Sequence, residues 1–468
     1  MAFNILNNPA VRLISEYAKK NKTEVYLVGG YVRDVLLGYK SDDIDIMVTG
    51  DATEFAESFA SESGTELSAV YKNFGTALLN YLGYKIEFTS ARKESYTRGS
   101  RKPRITLANL EEDLSRRDFT INAMAINLDK PEVLIDLFDG KKDLNDKIIR
   151  TPLAPDKTFF DDPLRILRAV RFASRFNFAI DHETLRGIET NRDRLKEDSV
   201  VSQERITKEF LMILSSPKPS IGLNLLYLSG VLEIIFPDAA KMAGIEQRQD
   251  YHHKDVLYHT FEVIDNVAAK SDNVWLRLAA LLHDIAKPKT KKFVEGTGWT
   301  FHGHEELGAG MTKTFFNSFK LPLQHLPYVK KLVRLHLRPA ALAKDEVTDS
   351  AIRRLAAEAG EELEDLFLLC RADITSKNMQ KVRKYLDNFD SVEKKILEVQ
   401  EKDNLRNFQS PVRGEEIMEI CSIPPCKKVG IIKKQIEEAI LDGIIKNDYD
   451  AALEYLYRIK DDILALPD

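Results

Sequence analysis

Apolar residues in the first 150 positions recur at two different periods. Ile5, Val11, Leu13, Ile14 and Tyr17 form a stripe at roughly helical spacing, which predicts a helix over residues 1–22. Short apolar or alternating runs follow. Val25–Val28, Ile44–Val48, Ala77–Tyr81, Lys85–Thr89 and Val133–Asp136 predict strands, with a short helix at Val32–Leu37 and a partly apolar stretch at Asp118–Asn127. Residues 93–110 are polar, basic and marked by Gly and Pro, so they predict a mobile loop. Beyond Thr158 the pattern changes to long amphipathic helices, and strand-like alternation almost vanishes. Pro217-Lys218-Pro219 and the 240s punctuate this half, and a long charged helix is expected near 380–403. The pattern predicts an α/β first domain at 1–150, then helical domains at 151–240, 241–380 and 381–468.

Length agrees with this division, since 468 residues exceed one hydrophobic core. The formal charge of −5 rules out a uniformly basic protein, but not a local basic surface for nucleic acid. Cys370, Cys421 and Cys426 have neither zinc-type spacing nor a disulfide framework, so a reducing compartment is expected. The first residues are too polar for a signal peptide, and no apolar run reaches the roughly 20 residues of a membrane span. These features predict a cytoplasmic protein without a membrane partner.

The first candidate chemistry lies at Val28-Gly29-Gly30-Tyr31-Val32-Arg33-Asp34. Two glycines carry a strand into a helix whose N-terminal amides form a ready phosphate site, and Arg33 could add a charged contact. Asp42-Asp43-Ile44-Asp45-Ile46 follows. Alternate strand residues share a face, so Asp43 and Asp45 point together while Ile44 and Ile46 face the core. Two carboxylates opposite a phosphate-binding turn suit magnesium (Mg2+) and in-line transfer of a phosphoryl group. Glu87, in Lys85-Ile86-Glu87-Phe88-Thr89, is the candidate third carboxylate.

The run LVGGYVRDVLLGYKSDDIDI resembles motif A of the DNA polymerase β-like nucleotidyltransferases. More narrowly, it is similar to the bacterial-type (class II) tRNA nucleotidyltransferases, the CCA-adding enzymes, and their poly(A) polymerase relatives. The resemblance implies a polymerase β-like head with a small sheet, metal held by Asp43 and Asp45, and phosphate contacts at Gly29, Gly30 and Arg33. Ser115 to Ala125 resembles motif B, which implies that Arg117, Asp118 and Asn122 hold the sugar and triphosphate. Asp136, Asp139-Gly140 and Asp143 resemble motif C, a spring-like link between head and neck. Asp161-Asp162-Pro163-Leu164-Arg165-Ile166-Leu167-Arg168 resembles the template motif. There Asp162 and Arg165, three apart and expected on one helix face, would read C or A but not G or U, with Arg168 also at the nucleotide. The family usually has Glu where this chain has Asp161. The basic loop resembles one needed for A addition, which nominates Arg98, Arg101 and Lys102 for RNA.

A further constellation sits in the helical half. Burying His259, His283, Asp284 and Asp373 among Leu and Ala is costly unless a partner such as a divalent metal pairs them. Their order resembles the HD superfamily of metal-dependent phosphohydrolases. That resemblance places His304 and His336 at a second metal, with Lys287 near a phosphate and His302 in the same stretch. Lysines around 427–434 suit an RNA backbone. The expected function is addition of CCA to the 3′ end of tRNA from CTP and ATP, with a possible phosphohydrolase activity in the HD domain. The alternatives are a poly(A) polymerase, a partial CC- or A-adding enzyme, and an HD phosphohydrolase with an RNA-binding head. Nothing in the residues separates a monomer from a dimer.

Overall fold

The computed structural model describes residues 5–95, 104–196, 200–249, 252–343, 348–376, 378–403 and 410–465. The chain divides into two units, Met1–Lys241 with Ser318–Lys320, and Met242–Asn317 with Leu321–Asp468.

The first unit opens with a 3-10 turn, Ile5–Asn7, and a helix, Pro9–Lys20, which Asn8 caps through its side chain. Nine strands follow: β1 Val25–Val28, β2 Asp43–Val48, β3 Leu67–Tyr71, β4 Thr76–Tyr81, β5 Tyr84–Ser90, β6 Arg92–Ser95, β7 Arg104–Leu107, β8 Met124–Asn127 and β9 Leu134–Asp136. Seven form one sheet in the order β3-β4-β5-β2-β1-β8-β9. Central β1 pairs antiparallel with both β2 and β8, and its four residues are all buried. The β2–β5 pair is parallel and sets Asp45 opposite Glu87. The alternation in β2 is that of a half-buried strand, with Ile44 and Ile46 in the core and Asp43 exposed.

Two regions hold elements that were not expected. The helix Ala52–Ser63, capped by Asp51, packs on the sheet through Phe55 and Phe59, and it leads to β3. Part of the expected loop over 93–110 is a hairpin, with Arg92 opposite Leu107, and a helix follows at Leu110–Ser115. The helix expected at Val32–Leu37 runs from Gly29 to Leu36, so both glycines lie in its first turn. The rest of the first unit is helical apart from the short parallel pair Ile148–Ile149 and Ala179–Ile180. Its main helix, Leu164–Phe176, buries Ile166, Leu167, Val170 and Ala173 on one face.

The second unit is helical with two small hairpins, Glu246–Gln249 with His252–Asp255 and Lys292–Val294 with Gly298–Thr300. Val256–Ala268, Val274–Leu282, Leu326–Leu335 and Leu363–Ala372 are its central helices. The charged helix extends over Met379–Asp403. A terminal trio, Gly414–Cys421, Lys427–Leu441 and Tyr449–Leu464, closes on its own core of Val412, Ile417, Ile432, Ile436 and Leu456. Among the described residues no helix is long and apolar enough to cross a membrane, and all three cysteines are free.

Candidate functional site

The first unit holds a cavity of about 1390 Å³. Asp43, Asp45, Glu87, Gly29, Gly30, Arg33, Arg117, Asp118, Asn122, Asp162, Arg165 and Arg168 all line it. Residues from motifs more than 100 positions apart therefore face one space.

The acidic corner comes from sheet register. Asp43 and Asp45 emerge from the same face of β2, and β5 places Glu87 beside Asp45. Burial raises the Asp45 pKa, with Arg117 and the Gly30 and Tyr31 amides opposing it. Burial also raises Glu87, and the neighbouring charge of Asp45 pushes it the same way. Crowded carboxylates on a rigid sheet fit a hard divalent cation, which would relieve their mutual repulsion. The Gly30 amide donates to Asp45 Oδ2 at 3.1 Å, so the helix start and the carboxylate are joined directly. Gly29 has φ +68°, and a Cβ there would lie 2.8 Å from an Arg117 guanidinium nitrogen and 2.9 Å from Asp45 Oδ2. Both conformation and space demand glycine at this position.

Arg33, Arg117 and Arg168 are each tied to a buried carboxylate, and for Arg117 that partner is Asp113. Its guanidinium forks onto fully buried Asp113 at 2.9 and 3.2 Å, and Arg116 takes the other oxygen at 2.6 Å. Burial opposes the Asp113 charge, but Arg117 and Arg116 outweigh it and lower the carboxyl pKa. Asp118 pairs with Arg168, through two bonds of 2.8 and 2.5 Å, and accepts from Asn122 at 3.0 Å. Against burial, Arg168 and Asn122 hold Asp118 well below the usual carboxylate range. Arg33 is only 4% exposed. It pairs with Asp34, donates to Asn122 at 2.6 Å, and lies over the rings of Phe172 and Phe176. Its contacts thus steady Asn122, and it also lines the cavity.

The template residues depart from the expected geometry. Asp162 precedes the helix Leu164–Phe176 in an extended conformation, because the residue before a proline is driven out of the α region. It accepts from the Leu164 amide at 3.1 Å and from Arg205 at 3.0 Å. Arg165 donates to the Arg116 carbonyl at 2.6 Å. The two share the cavity without the helix-face register that spacing suggested. Arg98, Arg101 and Lys102 lie outside the described residues. In motif C, Asp136 accepts from the Gly140 and Lys141 amides, and Asp143 binds Thr120 and Arg150.

Sequence reasoning missed Asp113, Arg116, Arg171, Arg175, Arg205 and Lys208. All but Asp113 line the cavity. A basic stripe at 165, 168, 171 and 175 was readable at helical spacing. Asn109 and Glu112 form a capping box whose N-x-x-E pattern marked the helix bearing Asp113.

The second unit concentrates histidines and aspartates. His259, His283 and Asp373 offer ligand atoms within 4.8 Å of one another, as do Asp284, His304 and His336. Asp284 joins the two groups: one oxygen lies 3.1 Å from His283 Nε2, the other 3.3 Å from His304 Nε2. His283, His304 and His336 each donate Nδ1–H to a backbone carbonyl, of Ala280, Phe301 and Val333, at 2.7–2.8 Å. The Nε2 atoms are therefore turned inward, where a bound metal would displace any proton they carry. His304 and His336 bring theirs within 3.3 Å, an arrangement that a cation between them relieves. His283 Nε2 and Asp284 Oδ1 are buried without a hydrogen-bond partner. These features fit a pair of divalent metals. Burial disfavours the His283 cation, yet Asp284 and Asp373 take its pKa up to about 10; burial and the His283 charge take His336 down to about 3. Lys287 donates to Asp284 at 2.6 Å, whereas exposed His302 belongs to neither group.

In the terminal trio, Lys428 donates to the Leu464 carbonyl, while Lys433 and Lys434 face Glu437 and Glu438 at 3.9 Å.

Three family models match: the Poly A polymerase head domain over residues 25–150, the probable RNA and SrmB-binding site of polymerase A over 177–242, and the HD domain over 256–378. The multifunctional CCA protein of Nitrosococcus oceani is 32% identical over 378 residues, 77% of this chain and 87% of that protein. The A-adding tRNA nucleotidyltransferase of Aquifex aeolicus is 38% identical over 274 residues, which are 58% of this chain and only 32% of that relative. A tRNA nucleotidyltransferase solved with a primer tRNA and an incoming ATP analog is 29% identical, with a TM-score of 0.58 over 81% of this chain and 99% of that one. With a polymerase-type head, an HD domain and a relative matched over most of its length, the chain belongs to the family of CCA-adding tRNA nucleotidyltransferases.

Proposed function

We propose that this protein adds C, C and A to the 3′ end of tRNA, without a nucleic-acid template, from CTP and ATP. One observation carries the reading: the acidic corner, the glycine turn, the arginine–aspartate network and the pair Asp162 and Arg165 share one cavity. Asp43, Asp45 and Glu87 would hold magnesium, which supplies Lewis acidity for the attacking tRNA hydroxyl and neutralises charge on the departing pyrophosphate. Arg117, fixed by Asp113, offers its remaining N–H groups to the triphosphate. Asp118 and Asn122, fixed by Arg168 and Arg33, present acceptor and donor groups to the ribose. Asp162 and Arg165 read the base. The carboxylate accepts from the exocyclic amine that C and A share, and the guanidinium donates to a ring nitrogen. Their present partners, Arg205 and the Arg116 carbonyl, yield when a base enters.

The four proposed domains, 1–150, 151–240, 241–380 and 381–468, give this reaction a catalytic head, a reading neck and an RNA-holding tail in the cytoplasm. In the HD domain, His259, His283, Asp284 and Asp373, with His304 and His336, would hold divalent metal for phosphoester hydrolysis.

Incorporation of single labelled triphosphates into tRNA lacking its 3′ end tests the main reading. Two C and one A followed by a stop is the expected result. Incorporation of A alone, onto tRNA already ending in CC, would favour the partial activity that the Aquifex aeolicus relative carries in its name. A long A tail on unrelated RNA would favour poly(A) synthesis.

A further inference from the structure

The helical second unit carries one feature that neither its candidate metal cluster nor its core explains. Between Lys287 and His304 the chain leaves the metal cluster as a two-stranded hairpin, Lys292–Val294 paired with Gly298–Thr300. The register sets Phe293 opposite Trp299, so both rings share one face, with centroids 5.3 Å apart. Both are well exposed: Phe293 is 66% and Trp299 49% accessible. Lys291 places its ammonium 4.6 Å from the Trp299 ring centre. From Lys287 to Phe301 the segment has four lysines and one glutamate, within a chain of net charge −5.

Both roots of the hairpin are fixed to the metal cluster. At one end Lys287 donates to Asp284. At the other, the Phe301 carbonyl orients His304 and the Phe301 ring lies 5.7 Å from the Lys287 ammonium. Trp299 precedes Phe301 by two residues, about 7 Å of extended chain, and Phe301 in turn touches His304 and Lys287 of the cluster.

We propose that this hairpin is a docking platform for single-stranded RNA, stacking a nucleobase on Trp299 and Phe293 while Lys291 and Lys292 take the adjoining phosphodiesters. Exposed aromatic faces beside basic side chains are the chemistry that holds single strands without reading sequence. A cross-strand aromatic pair also staples a hairpin. That role does not require the lysine bias or the placement beside a metal cluster. The docking stands independently of nucleotidyl transfer; only its service to phosphoester hydrolysis rests on the proposed activity of the HD domain.

Trp275 and Trp299 are the two tryptophans of the chain. In the full-length protein with Trp275→Phe, emission therefore reports on Trp299 alone. Titration with a hexaadenylate RNA should quench that emission by about half, and an abasic hexamer of equal length should leave it nearly unchanged. Substituting Lys291→Gln together with Lys292→Gln should weaken the quenching about tenfold and flatten its salt dependence by roughly one unit of logarithmic slope. Trp299→Phe, read by RNA anisotropy at the same salt, should retain most of the affinity and Trp299→Ala should not. Unchanged Trp299 emission at saturating RNA, or equal quenching by the abasic strand, would overturn the platform and leave the pair as a hairpin staple. Emission that changes with protein concentration alone would also overturn it, in favour of contact between copies. A chain that quenches normally yet hydrolyses no phosphoester would retain the platform and reject the HD activity.

Discussion

The head and the HD cluster both gather acidic side chains where a divalent cation fits, yet they are built on opposite plans. The head draws its carboxylates from two neighbouring strands of a sheet and leaves them at the wall of a wide cavity lined with arginine. The HD cluster draws imidazoles and carboxylates from helices and closes them into the core, where His259, His283, Asp284 and His336 are each at most 3% exposed. Carbonyl acceptors orient His283, His304 and His336, and the Thr375 hydroxyl meets His259 Nδ1, before any ligand arrives. An open, all-oxygen corner suits a metal that enters and leaves with a triphosphate. A closed nitrogen–oxygen cluster suits a resident one.

The strongest way to break this comparison is to disable each site alone. Asp43→Ala or Asp45→Ala should reduce nucleotide addition by about 10³-fold or more while hydrolysis of bis(p-nitrophenyl) phosphate persists. His283→Ala or Asp284→Ala should do the reverse. Equal loss of both activities in either variant would mean that the two sites are not independent.

Metal removal sharpens the contrast further. Dialysis against metal-free buffer should leave metal on the HD cluster, measured by elemental analysis, while nucleotide addition comes to depend wholly on added magnesium. A chelator strong enough to strip the cluster should then lower the thermal midpoint of the second unit by several degrees, because bound metal stabilises only the folded form. A midpoint that ignores the chelator would argue that the histidines are a structural network.

The difference in plan also explains what was legible. Asp43 and Asp45 were readable because strand periodicity alone puts them on one face. That Glu87 lies beside Asp45 depends on parallel pairing across some 40 residues, which no local pattern encodes. Arg33 was readable as a cation after a glycine turn. Its burial against Phe172 and Phe176 is a tertiary fact, set by a helix some 140 residues later. Asp162 is a different case: the proline after it already argued against helical placement, and the i,i+3 spacing overrode that clue. In the HD domain the order of candidate ligands was legible, whereas the carbonyls that turn His283, His304 and His336 inward were not, because they belong to the backbone.

A smaller effect tests the arginine network of the head by pH. Asp118 is nearly buried, and its partners hold its pKa below the ordinary value. A depressed carboxylate contributes stability that is present above its unfolded pKa, about 3.9, and is lost as pH falls through the lower folded value. Asp118→Asn should therefore cost about 2 kcal/mol at neutral pH, where Arg168 loses its nearer carboxylate and keeps Glu209 at 3.8 Å. The gap between variant and parent in urea unfolding should stay constant down to about pH 5 and narrow below pH 4. A gap that is constant through pH 3 would place the cost in packing and not in charge.

The mildest prediction concerns Asp162 and Arg165, the proposed base-reading pair, and its mildness follows from the openness of the cavity. Asp162 is partly exposed and already holds Arg205, and Arg165 holds a backbone carbonyl. A wrong base therefore leaves these groups with water or with their resting partners, and the penalty is a modest net hydrogen bond, not a stranded buried charge. About 1.4 kcal/mol per contact corresponds to about tenfold discrimination. Asp162→Ala or Arg165→Ala should accordingly raise incorporation of GTP or UTP relative to CTP about tenfold, with tRNA affinity little changed. Arg205→Ala, which frees Asp162 without removing it, should preserve selectivity while lowering the KM for CTP. If Arg205→Ala relaxed selectivity as much as Asp162→Ala, the reading surface would include the neck helix Gln203–Leu214, and the contrast between an open head and a closed HD cluster would extend to how each holds its substrate.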